Sequence, residues 1–201
     1  MAKRPIWKRK TRIRHVIQRM AEQDIDTIDS FRAHIEEGAV ARRSAIERLA
    51  AGLSDDQAQD YLADNFADNL AELDVISALG NEFAIVGLYR VVEVLRGRIL
   101  RARYGSASPN TAYMLRVRDF LLKHHGIDVD RIPHYRAINE LRLLNNAIKR
   151  DAAVVTAELA QAFPRWKEGK RLTGLDAAYE RLKSHVASYI FAFATRVKLT
   201  K

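Results

Sequence analysis

Apolar residues recur along most of this chain at helical spacing, and the last segment shows it most cleanly. Leu175, Tyr179, Leu182, Val186, Ile190, Phe193 and Val197 follow one another at steps of four and three, the period of one face of an α-helix. "TGLD" just before them predicts the cap of that helix. Nearer the start, Ile25, Ile28, Phe31 and Ile35 predict a helix up to a break at Gly38, and a second segment over about 39–51 carries Ile46 and Leu49. "SDDQ" at Ser54–Gln57 has the form of a capping box. It opens a stripe of Ala58, Leu62, Phe66, Leu70 and Leu73, with a boundary expected at Gly80. The following "NEFAIVGLYRVVEVLRGRILRARYG" is apolar nearly all round, so it is expected at the centre of a bundle. Its Arg90, Glu93, Arg96 and Arg98 argue for a core helix and against a membrane span.

"GSASPN" then predicts a loop, with Ser108 as a cap and Pro109 at the first helical position. The next helix should end near His124, and "GIDVDRIP" leads into a helix containing "LRLLNNAIKR". A short helix is expected over 152–162, and "FPRWKEGKRLTG" reads as a loop. No stretch alternates as a strand does. The expectation is an all-α helical bundle over 53–201, preceded over 1–52 by a basic arm and a helical extension.

Charge changes this picture more than composition does. With 48% hydrophobic and 29% charged residues the chain is an ordinary globular one. The absence of cysteine excludes disulfides, thiolate metal sites and thiol nucleophiles. The basic N-terminus leads into further charge, without the apolar core of a secretory signal, so a cytoplasmic location is expected. The net charge of +9 is segregated along the chain. Residues 1–20 carry eight bases and no acid, residues 21–95 five bases and sixteen acids, and residues 96–150 twelve bases and four acids. Such asymmetry points to a polyanionic partner, or to an arm folded onto the protein's own acidic segment. In the arm, Lys3, Arg4, Lys8, Arg9, Lys10, Arg12 and Arg14 surround Trp7. Cations neutralise phosphates and an indole stacks on a base, so the arm is a candidate nucleic-acid contact. The same composition also describes a solvated tail anchored by Trp7.

Two adjacent asparagines, Asn145 and Asn146, interrupt an otherwise good helix-forming stretch. At about 100° per residue, Ala137, Leu141, Leu144 and Ile148 fall together as the core stripe. Asn139, Arg142, Asn145, Asn146, Lys149 and Arg150 fall on the other side, with no carboxylate among them and Glu140 well off that face. Amides, guanidinium and ammonium groups together suit phosphates, 2′-hydroxyls and base edges.

The runs "ALGNEFAIVGLYRVVEVL" and "LLKHHGIDVDRIPHYRAINELRLLNNAIKR" resemble the HEPN superfamily, small α-helical domains of bacterial toxin–antitoxin and phage-defence systems. The similarity spans about residues 54–201 and is most specific over Ile138–Arg150. The resemblance implies RNA as partner, a homodimer or a complex with a defence-system protein, and metal-independent ribonuclease chemistry. That chemistry rests on an arginine, often a polar residue after it, and a histidine four to six residues further on. Here Asn145 stands at the arginine position, Asn146 at the polar one and Arg150 where the histidine belongs. Arg142 is nearby, but no histidine follows it at that gap.

Metal-free RNA cleavage needs one group to deprotonate the 2′-hydroxyl and another to protonate or stabilise the leaving oxygen. Arginine stays protonated and cannot be the base, and Lys149 could serve only if strongly desolvated. The leading expectation is therefore a degenerate HEPN-like protein that binds nucleic acid without cutting it. The first alternative is an active endoribonuclease with a variant motif drawn from Arg142, Asn145, Asn146, Lys149 and Arg150. The second is a structural module whose basic arm meets an acidic partner. Glu82 is expected either to pair with a cation of the NN helix or to form an ordinary ion pair elsewhere. His124 and His125 read as a solvated helix end, and no metal or other cofactor is expected.

Overall fold

The computed structural model describes residues 6–52, 56, 60, 67–105 and 118–198. Six α-helices make up the described chain: α1 (Ile6–Ala51), α2 (Ala67–Tyr104), α3 (Arg118–His125), α4 (Tyr135–Arg150), α5 (Ala157–Ala162) and α6 (Leu175–Arg196). A single 3-10 turn, Val129–Arg131, lies before α4. No strand occurs among the described residues, and the only β-type pairing there is an isolated bridge between Val154 and Arg171. The protein is all-α. Ser54 and Gln57 of the "SDDQ" capping box, most of the stripe that follows it and residues 106–110 of "GSASPN" lie outside the described residues.

Two expected breaks are not breaks. From Ile6 to Ala51 the backbone stays helical through Gly38, and α2 runs through Gly80 without interruption. The reason is tertiary. α1 and α2 lie antiparallel, Ile35 against Gly80 and Ile28 against Gly87. A Cβ added at Gly80 would come within 3.1 Å of the Ile35 side chain, and one at Gly87 within 3.3 Å of Ile28. The seven-residue spacing is shared by both isoleucines and both glycines, so each isoleucine sits where the opposite backbone lacks a side chain. In the same register Arg42 pairs with Glu72 at 3.1 Å and Arg43 with Asp74 at 3.4 Å. Packing of this kind outweighs the roughly 1 kcal/mol that a glycine costs a helix interior.

The two kinds of glycine should respond oppositely to substitution. Gly38 is exposed and a Cβ there meets nothing within 4 Å. Gly38→Ala is expected to stabilise by about 0.5–1 kcal/mol in urea unfolding. Gly80→Val places a branched side chain against Ile35 and is expected to destabilise by about 1–3 kcal/mol. Equal responses at the two sites would refute the close-approach account of Gly80.

α6 is the helix around which the others close. It packs on α1, α2 and α4, and all seven positions of its predicted stripe are buried. Its cap differs from expectation: Gly174, in the left-handed region at φ 65°, precedes the helix, and no side chain caps it. Lys183 ties α6 to α1, reaching Asp29 at 3.1 Å and Glu180 at 2.7 Å, while Arg32 of α1 holds Glu180 at 2.7 Å. Ala21 and Ile25 bring α1 itself into the common core.

By length and composition Ala71–Tyr104 is long and apolar enough to cross a membrane. In the bundle, its Ala84, Ile85, Leu88, Val92, Leu95 and Ile99 are all completely buried in the core.

Beyond α4 the expected helix over 152–162 is shorter, Ala157–Ala162. Ala152 and Ala153 sit at φ 50° and 59°, and residues 153–155 pair with the loop after α5 instead. Leu172 N–H donates to Ala153 C=O (2.7 Å) and Val155 N–H to Lys170 C=O (2.9 Å). Those bonds replace the helical ones that residues 153–155 would otherwise make.

Candidate nucleic-acid interface

α4 is where most of the candidate residues meet. Its N-cap, His134, adopts φ 67° and makes no side-chain cap, and its last turn carries Lys149 and Arg150. The buried side is wider than the four-residue stripe, since Ile138, Leu143 and Ala147 are buried alongside Leu141 and Leu144.

That width changes the role of the two asparagines. Asn145 is 4% exposed and belongs to the core side, which corrects its expected place on the polar face. Its amide N–H donates to Asn146 Oδ1 over a long 3.4 Å, and its own Oδ1 has no partner. Asn146 is half-buried, and Lys149 and Arg150 are exposed. Asn145 therefore cannot act as a surface contact without movement of its surroundings, whereas Asn146, Lys149 and Arg150 can.

Arg142 and Asn139 are brought together. The guanidinium donates from Nε to Asn139 Oδ1 at 3.1 Å and pairs with Glu158 of α5 at 2.8 Å. The carboxylate-free face expected from α4 alone is thus supplied with a carboxylate by a neighbouring helix. On its inner side Arg142 lines a cavity of about 350 Å³ between α2 and α4, with Asn139, Arg96, Tyr89 and Tyr135. Arg96 projects from the apolar α2 and lies over the Phe193 ring at 5.1 Å. Its Nε is buried without a hydrogen-bond partner among the described residues. Burial first, then Glu93, raises the Tyr89 phenol above its usual range, with Arg96 and Arg142 pulling it down. Tyr89 therefore stays protonated, a neutral donor in the lining it shares with the two arginines. The lining holds two cations, one amide, two phenols and the apolar Val129 and Ile138, with no acid among the described residues. Such a set binds phosphate oxygens and stacks on bases, but it holds no group able to take a proton near neutral pH.

The remaining predicted residues are dispersed. Arg14 is half-buried on α1, with an unpaired Nε. Trp7, Lys8, Arg9, Lys10 and Arg12 lie on the first turns of α1, where only the backbone is described, and Lys3 and Arg4 lie outside the described residues. The helix already begins at Ile6, so most of the basic arm is itself helical, and no glycine or proline interrupts it before Gly38. Glu82 pairs with Arg171 at 3.7 Å and with no cation of α4. His124 and His125 do end a helix, in ring contact with Phe120 at 4.4 Å and with Tyr104 at 4.2 Å.

Two constellations escaped the sequence reading. Glu140 is 1% exposed and anchors a buried network. It accepts from Trp166 Nε1 at 2.9 Å and from both terminal nitrogens of Arg181 at 3.0 and 2.8 Å. His134 and His185, 51 residues apart, meet with their Nδ1 atoms 3.0 Å apart. Compared with protein-family models, curated proteins and solved structures, the chain matches none.

Proposed function

We propose that this protein binds nucleic acid, RNA in first place, as a HEPN-like helical protein of a bacterial defence or toxin–antitoxin system, without cleaving what it binds. The observation that carries the reading is the cavity between α2 and α4. Arg96 and Arg142 enter it from two different helices, with Asn139, Tyr89 and Tyr135 beside them and no carboxylate in the lining. Lys149 and Arg150 extend positive charge along the exposed end of α4. Every polar side chain of that lining can donate, matching the acceptor-rich backbone of a polynucleotide, and Val129 and Ile138 complete the wall.

The same residues argue against cutting. Arg142 is occupied by Asn139 and Glu158, Asn145 is buried, and α4 carries no histidine, His134 standing at its N-cap. Eight residues of helix place it about 12 Å from Arg142 along the axis, too far for concerted proton transfer at one phosphodiester. In this reading the chain works as a homodimer or with a partner protein of its system. The exposed stripe of Val75, Leu79 and Phe83 on α2 offers an apolar surface for either.

The experiment is a titration of labelled structured RNA with EDTA present, run on native and denaturing gels side by side. The expected result is a shifted and intact RNA. Fragments that vanish in the Asn146→Ala protein would replace this reading with a variant ribonuclease. No shift even at low salt would leave the basic arm to an acidic protein partner.

A further inference from the structure

The core stripe of α6 runs through Leu182, Val186, Ile190 and Phe193, so Ser188, Phe191, Ala192 and Arg196 fall on the opposite side of that helix. That side walls a cavity of about 710 Å³, completed by Gln18 of α1 and by residues 131–134 ahead of α4. The cavity shares no lining residue with the one between α2 and α4. Phe191 is half-buried in its wall, its ring 5.6 Å from that of His15 on α1. Pro133 and Ile132 add apolar surface, while Gln18 and Ser188 add an amide and a hydroxyl. Both of those groups donate and accept, which suits the edge of a nucleobase, and a phenyl ring takes a base on its face. The volume falls in the range of small-molecule sites, about 300–1,000 Å³.

Charge decides what else the ligand carries. Arg131 is paired with Asp128 at 3.1 Å, so Arg196 is the cation that this cavity offers. Arg196 also lines a second cavity, of about 310 Å³, together with Arg103 and Lys198. Neither lining holds an acid among the described residues. Tyr104, His125 and Arg196, the last residues of α2, α3 and α6, all line the second cavity, and each helix end brings about half a negative charge. Three ends offset about 1.5 of the three cationic charges, which leaves about +1.5 for an anion. The Nε of Arg103 is buried with no hydrogen-bond partner among the described residues, a donor left for a ligand.

We infer that these two cavities form a binding site for a nucleoside phosphate, its base against Phe191 in the larger one and its phosphates on Arg196 and in the smaller one.

The site lies outside the proposed RNA contact and depends on different arginines, so either reading can fail alone. The test is calorimetric titration of the full chain with AMP, ADP, adenosine and inorganic phosphate. AMP is expected to saturate one site, with adenosine and inorganic phosphate each about tenfold weaker or more, because each lacks half of the recognised groups. ADP should bind a few-fold more tightly than AMP, its second phosphate reaching Arg103 and Lys198. Arg196→Ala is expected to weaken AMP about tenfold or more, as loss of a charge-assisted contact does, and Arg196→Lys to recover part of that. Ala192→Leu, which keeps every charge and fills the larger cavity, should weaken AMP as well. Arg96→Ala/Arg142→Ala should bind AMP as the parent does. Thermal unfolding of each variant without ligand establishes that it is folded. Four results would each overturn the inference: no saturation at millimolar AMP, inorganic phosphate bound as tightly as AMP, unchanged AMP binding in both Arg196→Ala and Ala192→Leu, or loss of AMP binding in the Arg96/Arg142 double variant.

Discussion

Glu140→Ala is expected to cost about 3 kcal/mol of folding stability, the lower end of what removing one partner of a buried ion pair costs. The side chain is 2% exposed and its two oxygens accept from Trp166 Nε1 and both ends of the Arg181 fork. Removing it leaves the indole N–H of Trp166, itself 9% exposed, without an acceptor. Arg181 is 35% exposed and can turn toward water, which is why the lower end applies. The network joins α4, α6 and the loop after α5, so the loss should appear as a lower urea midpoint for the whole chain. Glu140→Gln keeps one acceptor for the indole but removes the charge facing Arg181, and is expected to recover part of the loss. A change below about 1 kcal/mol in Glu140→Ala would mean that apolar packing alone holds the three elements together.

Glu140 also shows where sequence reading stops. The all-α class and the stripe of α6 were legible because period alone sets which side of a helix is apolar, and every member of that stripe is buried. A carboxylate beside Leu141 and Leu144 reads as solvated by type, and only its partners 26 and 41 residues away make its burial tolerable. Gly38 and Gly80 failed for a related reason. Helix propensity is a local quantity, and the Ile35–Gly80 contact that overrides it lies between distant segments. On α4 the projection gathered Arg142 and Asn139 correctly but put Asn145 outside, because the helix is covered by α2 on one flank and α6 on another. Arg96 was read only as evidence against a membrane span, although the polar flank of a central helix is where a cavity can open. No spacing rule would have joined His134 to His185.

The double variant Arg96→Ala/Arg142→Ala is expected to weaken RNA binding about 100-fold at moderate salt, since two charge-assisted contacts are worth about 3 kcal/mol together. It should also flatten the plot of log K against log salt by about 1.4, the slope carried by two phosphate contacts on a single strand. The Glu158 pairing sharpens the expectation. Glu158 holds Arg142 at 2.8 Å from the solvent side and is itself exposed, so Glu158→Gln should barely alter folding. It should nevertheless tighten RNA binding a few-fold, because it removes a negative charge from the approach of a polyanion and frees a guanidinium nitrogen. Opposite signs at the two ends of one ion pair separate binding from stability, since a structural role would make both changes weaken the protein alike. Fluorescence anisotropy of labelled RNA at four salt concentrations supplies both affinity and slope. Unchanged affinity with parallel slopes in the double variant would remove the α2–α4 cavity from the interface and leave Lys149, Arg150 and the basic arm to carry any binding that remains.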